Sequence, residues 1–159
     1  MNLEIKSQLN KVEKILLIVD RKLGIEYATW TKDKATIKFN KKMPGFPITS
    51  NYIYWCNLGV NIGSEQNKIR PVIVTKTKKE SNVCTIIPLT SERMNDTRWY
   101  HIDLEAQNST ALIEQLRNVS KLRILNPLRA KGKLIKISLN DWKKINKTIV
   151  EYYSLTNLK

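Results

Sequence analysis

Histidine and cysteine are scarce in this chain: His101 is the single imidazole, and Cys56 and Cys84 are the two thiols. So few ligating side chains, with no clustered spacing, argue against a metal site of the usual His/Cys type. A pair of histidines working as acid and base within one chain is excluded, although a dimer could bring one from each subunit. Two separated cysteines inside apolar, strand-like patterns read as small buried hydrophobes rather than a disulfide. Long apolar runs are missing as well. The longest, Ile15–Val19, falls far short of the roughly 20 residues that span a bilayer. It follows Glu4, Glu13 and Lys14 and is not succeeded by a small-residue cleavage site. It is therefore neither a membrane anchor nor a secretory signal, and a cytoplasmic protein with no membrane partner is expected. Acid is the remaining shortage, with 14 Asp and Glu against 28 Lys and Arg and a formal charge of +14. A polyanion is the natural partner of such a balance. Charge alone leaves open a basic but inert surface in a chain rich in Lys, Asn and Ile.

What is present falls into two parts. Ile5, Leu9, Val12, Leu16, Val19 and Leu23 recur at alternating spacings of four and three, which predicts an amphipathic helix with a heptad stripe. Gly24 is expected to stop it, and a weaker helix is expected from Ile25 to Phe39, with Lys32, Lys34, Lys38, Lys41 and Lys42 adding charge. The stripe would pack on the neighbouring domain or on a second copy. Met43-Pro44-Gly45-Phe46-Pro47 breaks any helix. The expected organisation is an N-terminal helical extension over residues 1–48 and a second domain over 49–159.

From Tyr52 the pattern becomes that of strands. Tyr52–Leu58, Pro71–Thr75 and Val83–Ile87 are β-branched or aromatic runs, with a lysine-rich turn from Lys76 to Asn82 between the last two. Trp99–Leu104 and Ser109–Ile113 read as shorter strands, and residues 124–137 are ambiguous around a turn at Lys131-Gly132. Ser138-Leu139-Asn140-Asp141 has the form of a capping box, with Trp142, Ile145, Ile149 and Tyr152 following at helical spacing. The expected class is α+β, mainly β: a small, strongly bent sheet or barrel closed by a terminal helix.

The ordered motifs Gly63-Ser64-Glu65-Gln66, Arg70-Pro71-Val72, Pro88-Leu89-Thr90-Ser91, Glu114-Gln115-Leu116-Arg117 and Ser120-Lys121 resemble the MazF/PemK family of toxin endoribonucleases from bacterial toxin–antitoxin systems. The resemblance runs from about Tyr52 to Val150. It implies an SH3-like small barrel of the PemK/CcdB type with a C-terminal helix. It further implies a homodimer, cleavage of single-stranded RNA at short sequences without metal or other cofactor, and inhibition by a cognate antitoxin protein. The family's catalytic arginine falls on Arg70 and its catalytic hydroxyl on Thr90. Ser64, Glu65, Gln66, Lys68, Ser91, Gln115 and Arg117 fall where RNA contacts would be. Three features depart from the common pattern: Asn51 stands at the turn before the first strand, where it tolerates a left-handed backbone; Lys78 and Lys79 occupy the loop after the second strand; and Asn118 replaces a frequent threonine. These bear on the RNA sequence recognised more than on the chemistry.

The chemistry stands beside the resemblance. Metal-free cleavage of RNA needs attack by a 2′-hydroxyl, and its transition state gathers negative charge on the non-bridging oxygens. Arg70, always protonated and planar, suits that charge, and Thr90 can donate a hydroxyl hydrogen bond to the same phosphate. A convincing general base is lacking, with His101 and then Glu65 the candidates. Each residue also has a plainer role. Arg70 before Pro71 is pushed towards extended backbone and could be a solvated arginine at a strand start. Thr90-Ser91 could begin a turn. Gln115 and Arg117 flank Leu116 and could form the polar face of a strand or a dimer contact, and His101 could be a packed, hydrogen-bonded histidine. Two other functions stay open: a non-catalytic nucleic-acid- or protein-binding module, and a toxin of related fold that poisons a protein such as DNA gyrase.

Overall fold

The computed structural model describes residues 2–105 and 107–154. They divide into two compact units that part between Lys41 and Lys42. The first holds two helices, α1 (Leu3–Ile18) and α2 (Arg21–Asn40). Each begins on a polar cap. Asn2 Oδ1 accepts from the Glu4 and Ile5 amides at 2.9 and 3.4 Å, and Asp20 Oδ1 from Lys22 and Leu23 at 3.0 and 3.2 Å, satisfying amides that a helix start leaves without partners. The Asp20 cap corrects the expected stop at Gly24. The first helix ends at Ile18, before the stripe is complete, and Gly24 lies buried inside α2. A Cβ at Gly24 would sit 2.9 Å from the Leu16 carbonyl oxygen, so the glycine serves close approach of the two helices rather than termination. It is the buried residue of α2, and α1 has none.

The second unit is a sheet with a helix. Its strands are β1 (Ile53–Gly59), β2 (Lys68–Thr77), β3 (Val83–Thr90), β4 (His101–Asp103), β5 (Thr110–Leu112), β6 (Arg117–Ser120) and β7 (Ile124–Pro127), followed by the small hairpin β8 (Arg129–Ala130) and β9 (Lys133–Leu134) and by α3 (Leu139–Tyr153). The order across the main sheet is β4-β5-β3-β2-β1-β7, with β6 also on β3, and the pairings are antiparallel. The class is α+β and mainly β. Among the described strands no ladder joins β6 to β7; the 3-10 turn Lys121–Arg123 links them directly, so hydrogen bonding leaves the bent sheet open there. No helix among the described residues is long and apolar enough to cross a membrane.

Alternation along the strands divides the interior into two cores. Ile53, Ile73, Ile87 and Leu89 face one way and pack with Leu104, Ala111, Ile113, Ile137 and, from α3, Ile145. Tyr54, Cys56, Leu58, Val72, Val74, Cys84 and Ile86 face the other and enclose a second core with Val119 and Ile124. Two prolines sit within this sheet, Pro71 opposite Trp55 and Pro88 opposite Val72, in central strands where a residue without an N–H is uncommon.

Local signals match the expected elements at several places. Asn51 adopts φ 70°, and Lys131-Gly132 turn with φ 47° and 77° between β8 and β9. Ser138 caps α3 by accepting from the Asp141 amide at 2.9 Å. The Asp141 carboxylate is not spent on a reciprocal box: it accepts from the Glu105 amide at 3.3 Å. Glu105 in turn accepts from Ser138 at 3.1 Å, from Lys144 at 3.3 Å and from Asn140, tying the loop after β4 to the start of the helix. These bonds hold the Glu105 carboxyl below its ordinary range, Asn140 contributing most.

Candidate active site

Arg70 lies inside β2 rather than at its start, because pairing with β1 extends back to Lys68. It stands opposite Cys56, on the face of the second core. Thr90 ends β3 and is 3 % exposed. The β2–β3 register runs to Val72 opposite Pro88, and carried on by two residues it sets Arg70 opposite Thr90 on that same face. An arginine and a hydroxyl thus cap one end of an apolar core.

The loop after Thr90 is pinned. The Glu92 amide donates to Thr90 Oγ1 at 3.2 Å, a side-chain turn typical of threonine. The Asn95 amide donates to the Asp103 carboxylate at 2.9 Å, and Asp96 accepts from Arg98 at 3.0 Å and faces His101 Nδ1 at 3.1 Å. The Arg98 amide does most to hold the Asp96 carboxyl below its ordinary range, with His101 and the Arg98 charge adding to it. As a result the Glu92 carboxylate lies 4.0 Å from the Arg70 guanidinium, whose Nε donates to the Asn67 carbonyl at 3.3 Å.

A second cluster holds the loop of Gly63-Ser64-Glu65-Gln66. Gln115 Oε1 accepts from the Gln66 amide at 3.1 Å, its Nε2 donates to the Ser64 carbonyl at 3.5 Å, and Arg117 Nη2 donates to the Gln66 carbonyl at 3.1 Å. Gln115 is not on a strand as its alternation with Leu116 suggested. It closes a 3-10 turn (Ile113–Gln115), and Arg117 opens β6. Burial pulls the Arg117 guanidinium below its usual range and Arg123 adds to this, while the Glu65 carboxylate opposes it; an arginine stays charged regardless. Lys68 and Ser91 are exposed, Lys68 with φ 65° at the start of β2 and Ser91 next to Thr90 in the chain. The structure therefore joins Ser64, Gln66, Gln115 and Arg117 by direct bonds, sets Glu65 in the field of Arg117, and puts Arg70 with Thr90 on a shared face.

His101 is a packed histidine. Its side chain is 3 % exposed, with Nδ1 towards Asp96 and Nε2 3.1 Å from Glu114. Burial pushes the thiols of Cys56 and Cys84 up to about 12 and about 11, so neither is a thiolate nucleophile near neutral pH. Among the described residues no three His, Cys, Asp or Glu side chains cluster so as to hold a metal. Sequence reasoning missed Glu92 and Asn67. For Glu92 a signal existed in the spacing, since a residue two after a threonine is where an amide reaches back to the hydroxyl.

The family model for the PemK-like, MazF-like toxin of type II toxin–antitoxin systems matches residues 50–153. The chain belongs to this toxin family. The toxin is similar in fold to the solved structure of MazF (Form-I) from Deinococcus radiodurans, with 14 % identity over 67 % of this chain and 96 % of that one and a TM-score of 0.56. It is similar also to MazE-MazF (Form-II) from the same organism, with 14 % identity over 69 % and 98 % of the two chains and a TM-score of 0.53. Compared by sequence with curated proteins, the toxin matches none. Both structural likenesses lie at an identity where fold, and not site chemistry, is what is shared.

Proposed function

We propose that this toxin is a sequence-specific endoribonuclease that cleaves single-stranded RNA without a metal, by attack of the 2′-hydroxyl on the neighbouring phosphorus. The observation that carries the reading is that the β2–β3 register, extended by two residues, sets Arg70 and Thr90 on one face where β2 begins and β3 ends. Thr90 Oγ1 already accepts from the Glu92 amide, so its own proton is free to point at a phosphate oxygen. Arg70 keeps part of its guanidinium in solvent, at 27 % side-chain exposure, and can grip two phosphate oxygens as charge builds on them. Ser64, Glu65, Gln66, Lys68, Ser91, Gln115 and Arg117 would then line the path of the flanking nucleotides, with Gln115 and Arg117 holding the loop that reads them.

The test is cleavage of a long defined RNA in the presence of EDTA. The expected products carry a 2′,3′-cyclic phosphate and a 5′-hydroxyl, and a single 2′-deoxy substitution 5′ to the cut should block cleavage. Arg70→Ala should lose roughly a hundred- to a thousandfold in rate with the fold retained by circular dichroism. Normal cutting of the deoxy substrate would overturn the mechanism.

The same reading includes a homodimer as the active form and an acidic, partly disordered antitoxin segment as its inhibitor. The formal charge of +14 and the likeness to a MazE-MazF structure support it. Carboxylates of such a segment would replace phosphates on the same cations, so antitoxin and RNA should compete. With about three phosphates held, RNA affinity should fall with salt at a log–log slope of roughly −2. Light scattering that finds a fully active monomer would remove the dimer from this account.

A further inference from the structure

We propose that Glu92 is the general base of this site, an inference that rests on the endoribonuclease reading above. The site needs a group to take the 2′-hydroxyl proton, and the candidates visible in the sequence are engaged elsewhere. His101 is 3 % exposed, and its two ring nitrogens face Asp96 and Glu114, so no substrate oxygen reaches it. Glu65 acts on Arg117, in the cluster that holds its own loop. Glu92 is different in three respects. Its carboxylate faces Arg70 at 4.0 Å, the cation expected to hold the scissile phosphate. Its side chain is 76 % exposed and open to an incoming ribose. Its backbone is fixed to Thr90 Oγ1 by the amide bond at 3.2 Å, in a loop anchored further on at Asp103 and His101.

A base must sit beside the attacking oxygen while the cation sits on the phosphate that oxygen attacks, so the two groups belong side by side on one site. That is the relation of Glu92 to Arg70. In the step, a Glu92 carboxylate oxygen takes the proton of the 2′-hydroxyl as the 2′-oxygen bonds to phosphorus. The bond from phosphorus to the 5′-oxygen breaks, and the departing 5′-oxygen takes a proton from water. The cyclic phosphate is left on one fragment and the 5′-hydroxyl on the other, with no external reagent used. Among the described residues, Arg70 from β2 is the cation in ion-pair range of Glu92, and Arg93, its chain neighbour, pairs instead with Asp96 at 3.6 Å.

Single-turnover cleavage of a defined RNA by the full chain, across a range of pH, tests this with Glu92→Gln and Glu92→Asp. The exposed position should let both fold, which circular dichroism checks. The expected result is a loss of about a hundredfold in kcat for Glu92→Gln, KM changing less than about threefold, and disappearance of the wild-type acid limb. Glu92→Asp should recover much of the rate. A wild-type rate and pH profile in Glu92→Gln would overturn the assignment while leaving the endoribonuclease reading intact. A faster Glu92→Gln with lower KM would also overturn it, showing that the carboxylate only screens Arg70 from phosphate. Absence of cleavage by the wild type itself would remove both.

Discussion

The two units of this chain are stabilised in opposite ways. The α1–α2 hairpin starts each helix on a good cap, yet buries little beyond Gly24, and its apolar stripe is largely in solvent: Leu9, for example, is 59 % exposed. The sheet unit has short, irregular elements, but Ile53, Val72, Ile73, Val74, Ile86 and Ile87 are fully buried in it. Local signals define where a helix begins; they do not hold it against the entropy of the chain, which packing must offset. The hairpin is thus well specified and weakly held, and the sheet is the reverse.

That contrast can be broken most directly in the cores. Ile73→Ala should cost the sheet unit about 2–5 kcal/mol, read as a lowered urea midpoint, whereas Leu9→Ala in α1 should change that midpoint by less than about 0.5 kcal/mol. Equal effects would mean the hairpin shares the sheet's cooperative unit. Gly24→Ala comes next. Its added Cβ meets backbone rather than a flexible side chain, so the helices must part at a cost of about 1–3 kcal/mol, seen in far-ultraviolet helical signal and amide exchange of residues 3–40 with the sheet unchanged. A matched pair of cap deletions sharpens the comparison further. Asp20→Ala and Ser138→Ala each remove about 1 kcal/mol of capping, but only Ser138→Ala should move the sheet's transition, because α3 carries Ile145 into its core. The smallest effect concerns acid. The Glu105 carboxyl is held below its ordinary 4.5 in the folded state, so its contribution is present above that value and is lost as pH falls towards the lower folded value. Glu105→Gln should flatten the decline of stability in that window, and an unchanged pH–stability curve would show that its bonds to α3 carry no net stability.

Much of the sheet was legible because its signals are short-range. Asn51 and Lys131-Gly132 mark turns by residue type, Ser138 marks a helix start, and the β-branched runs mark β1 to β3. Arg70 and Thr90 stood out through their place in ordered motifs. Gly24 misled, since a glycine after an apolar stripe has the form of a helix end, while its cause is contact with Leu16 on another helix. Gln115 misled for a related reason: alternation with Leu116 and Arg117 cannot distinguish a strand from a 3-10 turn that hands over to one. Glu92 was invisible as a partner of Arg70 because that proximity comes from the register of β2 on β3 and from the anchoring of a loop by Asp103 and His101. Those are properties of tertiary structure, with no counterpart in local pattern.

Pro71 changes the mechanics of the sheet at the end where Arg70 and Thr90 stand. The two strands pair from Thr77 and Cys84 as far as Val72 and Pro88 and no further, and beyond that point β3 turns to β5 instead. The Val72–Pro88 pair turns the Pro88 nitrogen away from β2 and the Pro71 nitrogen towards β3, so it is Pro71 that offers no amide to continue the ladder and works like the stop on a zipper. At the stop the two strands' ladder lacks one donor, so fewer backbone bonds hold them together there. Pro71→Val would restore a donor towards β3 and tighten that join, so firmness and access to Arg70 and Thr90 pull against each other at one residue.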